Sequence, residues 1–218
     1  MIRLERTHAA HVVRLESSHN LFNDGFVAAF EAALDEIEGE ATGDPVVTVG
    51  AGKYFSNGFD LEHLGRLEGE ALGQFIERSC RLLARVLVFP APTIAAINGH
   101  AFGIGAMLAL AHDQQVMRED RGWWCLPEVD LGLPFHPFMQ ALITARLPPR
   151  VAQAAMLTGR RYDGASARDA GVVNATAGEA DLFARAIELT APWAGKKPEV
   201  IGFLKVAMHT SVTGTLAH

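Results

Sequence analysis

The sequence lacks any apolar run long enough to cross a bilayer, and it contains only two cysteines. Its first residues, M-I-R-L-E-R-T-H, carry charges where a signal peptide needs an apolar stretch. Cys80 and Cys125 form no C-x-x-C pair and suit a reducing compartment, where we expect both to be buried small hydrophobes. We therefore predict a soluble, unexported protein with no membrane association.

The chain also lacks an excess of positive charge. Its formal net charge is −6 and its basic residues are scattered, so a nucleic-acid partner is not predicted. The nine histidines show no zinc-ligand spacing such as H-E-x-x-H, so no metal site is predicted either. The sequence ends in L-A-H rather than the peroxisomal S-K-L, which favours a cytoplasmic location.

What the sequence does contain is an alternation of strand and helix patterns with enough apolar residues, 49%, to fill a substantial core. One helix is predicted at residues 106–111, after a glycine-rich turn. Strands are predicted at 11–16, 45–50, 93–97, 114–117 and 123–126, and further helices at 26–37, 71–88, 137–147, 151–158, 180–194 and 198–210, with a break at 168–173. This order predicts an α/β fold with helices outside a largely buried sheet.

Two glycine-containing loops each join an apolar strand to a helical segment. The first, residues 51–61, turns at Gly58 and ends where Asp60 favours a helix start. The second, residues 98–105, contains three glycines and precedes a helix whose free N–H groups and dipole favour an anion. A dinucleotide-binding fold is disfavoured because Leu108 occupies the last glycine position of G-x-G-x-x-G.

Three motifs together resemble one known family. They are S-N-G-F-D-L at 56–61, N-G-H-A-F-G-I-G-A-M-L-A-L-A-H-D at 98–113 and L-P-E-V-D-L-G-L-P at 126–134, and they resemble the crotonase superfamily of enoyl-CoA hydratases and isomerases. The resemblance implies a single domain, residues 1–218. It would comprise a spiral of ββα units over about 1–135 and a mainly helical region over about 136–218, used to form a homotrimer or a dimer of trimers.

The same resemblance implies an acyl-CoA thioester as substrate and an oxyanion hole made by the backbone N–H groups of Phe59 and Ile104. Such donors stabilise the negative charge that develops on a thioester oxygen when an α-proton leaves. Glu128 would move that proton. No separate cofactor is implied, because coenzyme A is part of the substrate.

A wider set of residues is predicted to contact the substrate through these motifs. Lys205, in the helical tail, has two interpretations that stay open, a contact to CoA phosphates or a solvated surface lysine. The predicted substrate-binding residues are Lys53, Ser56, Asn57, Gly58, Asp60, Leu61, Gly103, Gly105, Met107 and Phe135.

Met107 indicates which reaction to expect. Hydratases of this superfamily use two glutamates, and Met107 stands at the position of the first, whereas Glu128 keeps the second. A single glutamate is the pattern of Δ3,Δ2-enoyl-CoA isomerases, and the second motif is particularly similar to the plant peroxisomal type. The resemblance therefore favours isomerisation of 3-enoyl-CoA to trans-2-enoyl-CoA.

The sequence around Glu128 is apolar, with Leu126, Pro127 and Val129 beside it. Desolvation there predicts a raised pKa suited to a reversible base. The alternative is a surface carboxylate beside a turn. Asp130 is predicted to be structural, and it would share a strand face with Glu128 if the segment were extended.

Two other classes of function stay open at this stage. One is a hydratase, hydrolase or decarboxylase of the same fold, with another residue replacing the missing glutamate. The other is a non-catalytic acyl-CoA-binding or assembly subunit, which would bind CoA without turning over an enoyl thioester.

Overall fold

The computed structural model describes residues 1–216 of the chain. The C-terminal residues Ala217 and His218, on which the predicted absence of a peroxisomal address depends, lie outside the described residues. No helix within residues 1–216 combines the length and apolarity needed to span a bilayer.

Nine strands form two sheets within the described residues. The larger sheet has the order β1-β2-β3-β5-β7-β9, and the smaller has the order β4-β6-β8. Only β1 and β2 pair in an antiparallel manner, whereas the other neighbouring strands are parallel. The strands are β1 Ile2–Arg6, β2 His11–Leu15, β3 Val46–Gly50, β4 Tyr54–Ser56, β5 Thr93–Ile97, β6 His100–Phe102, β7 Gln114–Arg118, β8 Trp124–Cys125 and β9 Ala175–Ala177.

Beyond residue 136 the described chain is mainly helical, as predicted. A short 3₁₀ turn covers Ala191–Trp193. The α-helices are α1 Asp24–Glu40, α2 Leu61–Leu64, α3 Gly69–Leu87, α4 Ile104–Ala111, α5 Glu128–Leu131, α6 Pro137–Arg146, α7 Pro149–Thr158, α8 Gly164–Ala170, α9 Leu182–Glu188 and α10 Pro198–Thr213.

The chain repeats a unit of long strand, short strand and helix. β3, β4 and α2 form one unit, β5, β6 and α4 form the next, and β7, β8 and α5 form a third. Each long strand joins the larger sheet and each short strand joins the smaller one, so successive units stack side by side. This arrangement confirms the predicted α/β class with ββα units. The single-domain boundary stays a prediction.

The short strands lie inside segments that the sequence predicted to be turns. β4 occupies part of 51–61 and β6 occupies part of 98–105, so both loop predictions were incomplete. Their pairing depends on close backbone approach: the carbonyl oxygen of Lys53 accepts from His100 N–H at 3.0 Å and leaves no room for a side chain on Gly99. A three-residue strand is too short to show a period in its sequence, and its distant pairing partner leaves no local signal.

Five other segments differ from the sequence prediction. Residues 128–131 are helical, so Glu128 and Asp130 do not share a strand face. The predicted break at 168–173 starts three residues too early, because α8 continues to Ala170; Asp163 caps this helix by accepting a hydrogen bond from Ser166 N–H. The predicted helix over 180–194 is divided into α9 and the 3₁₀ turn, and β1 and β9 were not predicted.

Helix α4 lies at the centre of the core. All eight of its residues are buried, and all except Gly105 belong to the main apolar cluster together with side chains of α1, α3 and α6. The indole N–H of Trp124 donates to the carbonyl of Ala106 at 3.1 Å, which ties β8 to the middle of this helix. Both cysteines are buried, as predicted.

Lys205 fits neither of its two sequence interpretations. Its side chain is buried, and its ammonium donates to the carbonyls of Phe89 and Ala91 at 2.9 and 2.7 Å. The same nitrogen lies 2.5 Å from a carboxylate oxygen of Asp113, just after α4. Lys205 therefore anchors α10 to the core, so the predicted surface or phosphate-binding position is wrong.

Gly105 tests the close packing of α4 against β4. A Cβ at this position would lie 2.6 Å from the side chain and carbonyl of Ser56, so we expect Gly105→Ala to lower the free energy of unfolding by about 1–3 kcal/mol. Gly73, in α3, has open space at the equivalent point, and Gly73→Ala should raise it by up to about 1 kcal/mol. Urea unfolding measures both, and equal effects would contradict this packing.

Candidate active site

The first glycine loop leaves one backbone donor free. Gly58 has φ +89°, and a Cβ there would lie 2.9 Å from the Phe102 carbonyl oxygen, so this turn requires glycine. The flanking Gly58 carbonyl and Asp60 N–H both pair with the backbone of Phe22. Between them, the N–H of Phe59 has no acceptor within residues 1–216.

The side chain of Phe59 anchors this loop in the core. Its ring lies 6.2 Å from that of Phe22 and 5.8 Å from that of Phe75, measured between centroids. Because these two rings hold the side chain of Phe59 in the core, the main chain around Phe59 has a defined position. The loop is thus fixed by packing as well as by hydrogen bonds.

The second loop presents the start of α4. Gly103 has φ +53°, which favours glycine, and its N–H donates to the carbonyl of Cys125 at 3.0 Å. Ile104 is the first helical residue, and its N–H has no acceptor among the described residues. Unpaired amides at a helix start carry partial positive charge.

The structure brings the two loops into contact. A Cβ on Gly58 would lie 3.9 Å from Cα of Gly103, and Gly105 packs directly against Ser56. The residues that carry the free Phe59 and Ile104 amides are therefore neighbours, although 45 positions separate 59 from 104 in the chain. Paired donors of this kind suit an oxygen that gains negative charge.

Glu128 lies beside the second loop. Its Oε1 is 3.2 Å from the point that a Cβ of Gly103 would occupy, so any side chain at that glycine would meet the carboxyl group. Glu128 is only 9% exposed, and its Oε2 has no hydrogen-bond partner within the described residues. Burial raises its pKa to about 7. The alternative of a surface carboxylate is therefore wrong.

Three of the other predicted binding residues support the loops through hydrogen bonds. Ser56 is buried and donates to the carbonyl of Asn20 at 2.7 Å, and Asn57 N–H donates to the carbonyl of His19. Asp60 caps α2 by accepting from His63 N–H at 3.1 Å, which holds the pKa of Asp60 below its usual value. Their roles toward a substrate stay predictions.

The remaining four predicted residues differ in exposure. Leu61 is 58% exposed, and the exposed ammonium of Lys53 lies 5.3 Å from the centroid of the Tyr54 ring. Phe135 is partly buried against the core, whereas Met107 is fully buried within α4. None of the four carries an assigned substrate contact, so these too stay predictions.

Asn20 is a loop support that the sequence did not reveal. Its buried side-chain amide donates to the carbonyls of Tyr54 and Phe55 at 3.1 and 3.0 Å, and its Oδ1 accepts from Ser17 N–H. It also adopts φ +48°, a conformation that asparagine tolerates better than most residues. A single asparagine in S-S-H-N carries no motif from which these distant contacts follow.

Because the carboxyl group of Glu128 is buried, its ionisation should lower the stability of the fold. The pKa of Glu128 is higher in the folded state than its ordinary value of 4.5, so its stabilising contribution is present below pH 4.5 and lost as pH rises through about 7. At pH 8 we expect Glu128→Gln to raise the free energy of unfolding by about 1–3 kcal/mol. Urea titrations at pH 8 and at pH 5 measure this difference, and the stability gained by Glu128→Gln should be smaller at pH 5.

Glu62 provides the matched control, because its side chain is 80% exposed in a surface ion pair with Arg66. Glu62→Gln should change the free energy of unfolding by less than about 0.5 kcal/mol at either pH. Destabilisation by Glu128→Gln at pH 8 would mean that the carboxylate is well solvated or paired.

Comparison with known proteins agrees with this architecture. The sequence model of the enoyl-CoA hydratase/isomerase family matches residues 5–218. Enoyl-CoA delta isomerase 3 of Arabidopsis thaliana is 36% identical over 167 residues, 74% of this chain and 70% of that protein. The peroxisomal enoyl-CoA delta isomerase 2 of the same plant is 34% identical over 206 residues, 89% of this chain and 86% of that protein.

A solved structure shows the same fold. The crystal structure of a probable enoyl-CoA hydratase from Mycobacterium tuberculosis H37Rv has a TM-score of 0.90 and 24% identity, covering 99% of this chain and 91% of its own. The likeness confirms the predicted crotonase-like fold. The sequence match over nearly the whole chain shows in addition that this protein belongs to the enoyl-CoA hydratase/isomerase family.

Proposed function

We propose that this protein is an isomerase that converts 3-enoyl-CoA to trans-2-enoyl-CoA. The observation that carries the proposal is the carboxyl group of Glu128, which is buried, has an unpartnered oxygen and lies beside Gly103 at the start of α4. A carboxyl group in this position can exchange a proton with a substrate, and it lies close to the N–H groups that would hold the substrate's thioester oxygen.

The proposed reaction is a 1,3-proton transfer. The Glu128 carboxylate removes a proton from C2, and the electron pair of the C2–H bond delocalises into the thioester oxygen. The N–H groups of Phe59 and Ile104 donate to that oxygen and stabilise the dienolate. Glu128 then returns the proton to C4, so that the double bond moves from C3–C4 to C2–C3 and the enzyme regains its initial state.

The pKa of Glu128 supports this role. A carboxyl with a pKa of about 7 is ionised often enough at neutral pH to accept a proton, and it is acidic enough to return it. An ordinary exposed glutamate would bind the proton too weakly. Burial therefore supplies the acid–base property that the mechanism needs.

The choice of isomerase over hydratase rests on Met107 and on the relatives. A thioether cannot accept a proton from water, and Met107 is fully buried in α4. Two plant relatives that match most of this chain are named enoyl-CoA delta isomerases. Both observations favour a reaction with one carboxylate.

The proposal includes several further expectations. The ten residues predicted to bind substrate would surround the acyl-CoA thioester, and Lys53 would meet its anionic part. The reaction requires no metal and no cofactor, because coenzyme A belongs to the substrate. We further propose a cytoplasmic homotrimer or dimer of trimers.

Glu128→Gln and Glu128→Ala should lower kcat for 3-hexenoyl-CoA by about 100- to 10,000-fold, since both remove the proton carrier. Formation of trans-2-hexenoyl-CoA, followed by chromatography, measures the loss. Asp130→Asn is the control, because Asp130 is a carboxylate two positions away that we predict to be structural. The activity of this variant should stay near that of the wild type.

Undiminished activity in the Glu128 variants would refute the mechanism. Water addition to crotonyl-CoA that is faster than isomerisation of 3-hexenoyl-CoA would favour a hydratase. Tight CoA binding without turnover would instead favour a non-catalytic subunit.

The pH profile of the wild-type enzyme gives a separate test. Because Glu128 must be ionised to accept the C2 proton, kcat/KM should rise with pH and level off above an apparent pKa of about 7. Initial rates with 3-hexenoyl-CoA between pH 5 and 9 measure the profile. A profile that is flat down to pH 5 would contradict an essential group with this pKa.

A further inference from the structure

The C-terminal end of α4 is held by one arginine from another helix. Arg146, the last residue of α6, donates from Nε to the carbonyl of Leu110 at 2.9 Å. Its Nη2 donates to the carbonyls of His112 and Asp113 at 2.6 and 2.9 Å. A single guanidinium thus satisfies three backbone acceptors where α4 ends.

Two neutral side chains complete this end of the helix. His112 is fully buried, which lowers its pKa to about 4, and its Nδ1 lies 2.8 Å from the carbonyl of Leu108. Its Nε2 lies 2.8 Å from the hydroxyl of Thr48 in β3. Gln115 donates to the His112 carbonyl at 2.8 Å. Within residues 1–216, Arg146 is thus the one charged group that donates to the carbonyls of Leu110, His112 and Asp113.

The opposite end of α4 is held by backbone contacts of Gly103 and Gly105 rather than by a side-chain cap. Gly103 precedes the helix and offers no side chain as a cap, and the Ile104 amide there has no acceptor within residues 1–216. The helix is about 12 Å long at 1.5 Å per residue, so it behaves as a short rigid rod. In a rod of this kind, a shift of the end that Arg146 holds would also move Ile104.

We propose that Arg146 is a positioning residue for the oxyanion hole, acting through α4 on the Ile104 amide. The inference rests on the proposed function, because it assumes that this amide receives the thioester oxygen. Removing Arg146 leaves three carbonyls without their donor, so the last turn of α4 must shift to find other partners. Its positive charge also complements the negative end of the helix dipole.

Lys205 is a matched control. It too is a cation in the interior near Asp113, but its ammonium donates to Phe89 and Ala91, which are not part of α4. Lys205→Met should therefore destabilise the fold, since it removes one partner of a buried ion pair. It should leave the position of Ile104 unchanged.

The first measurement is the kinetics of Arg146→Lys, Arg146→Met and Lys205→Met with 3-hexenoyl-CoA. We expect Arg146→Met to lower kcat by about 10- to 100-fold with KM changed by less than about threefold, because oxyanion contacts strengthen in the transition state. Arg146→Lys keeps a cation without the planar fork and should fall between wild type and Arg146→Met. If Arg146→Met does not fold, Arg146→Lys provides the test in its place. Lys205→Met should keep the wild-type kcat although it unfolds at lower urea.

The second measurement reads the oxyanion hole without turnover. Hexanoyl-CoA labelled with ¹³C at the thioester carbonyl cannot isomerise, and infrared difference spectra report how strongly the bound carbonyl is polarised. Wild type and Lys205→Met should show the same lowering of the carbonyl frequency, and the Arg146 variants a smaller one.

The outcomes separate this inference from the proposed function. A full frequency shift in the folded Arg146 variants, or a kcat equal to that of Lys205→Met, would overturn the role of Arg146 and leave the isomerase proposal intact. No frequency shift in the wild-type enzyme would overturn the oxyanion hole itself, and this inference with it. Normal carbonyl polarisation without isomerisation would refute only the proposed reaction.

Discussion

The complete burial of α4 is the constraint on which the rest of the structure depends. A helix leaves unpaired carbonyls at one end and unpaired N–H groups at the other, and within a core water does not reach them. At the C-terminal end, Arg146 and His112 supply the missing donors. At the N-terminal end no group within residues 1–216 accepts from the Ile104 amide, which in the proposed function donates to the thioester oxygen.

Glu128 shows how the same interior gives function at a cost to stability. Ionising a carboxyl group away from water is unfavourable, and its raised pKa measures that penalty. His112 carries the opposite shift, because burial holds it neutral and bonded to Leu108 and Thr48. The core thus keeps one titratable group fully satisfied as a support and leaves the other with an unpartnered oxygen. In the proposed function, the carboxyl group of Glu128 exchanges a proton with the substrate.

The sequence predicted those parts of the molecule whose cause is local. The apolar run from Pro45 to Gly50 and the spacing of Phe26, Phe30 and Leu34 identify β3 and α1. A strand buried on both faces gives a continuous apolar run, and a helix buried on one face gives a period. Gly58 and Gly103 are recognisable because their turns need positive φ. Asn20, Arg146 and Lys205 were missed or misplaced because each acts on a backbone carbonyl far along the chain. No local pattern encodes such a partner.

The apolar nature of α4 bears directly on the choice of reaction. A carboxylate at position 107 would place a charge in a helix that has no exposed residue, and burial would raise the pKa of that carboxylate. Hydration needs water held in the site, whereas a 1,3-proton transfer needs the same proton to be kept until C4 receives it. In the proposed function, a site with a single carboxylate keeps that proton on Glu128 until C4 receives it. Met107 thus withholds the second carboxylate that hydration would use and leaves α4 without charge.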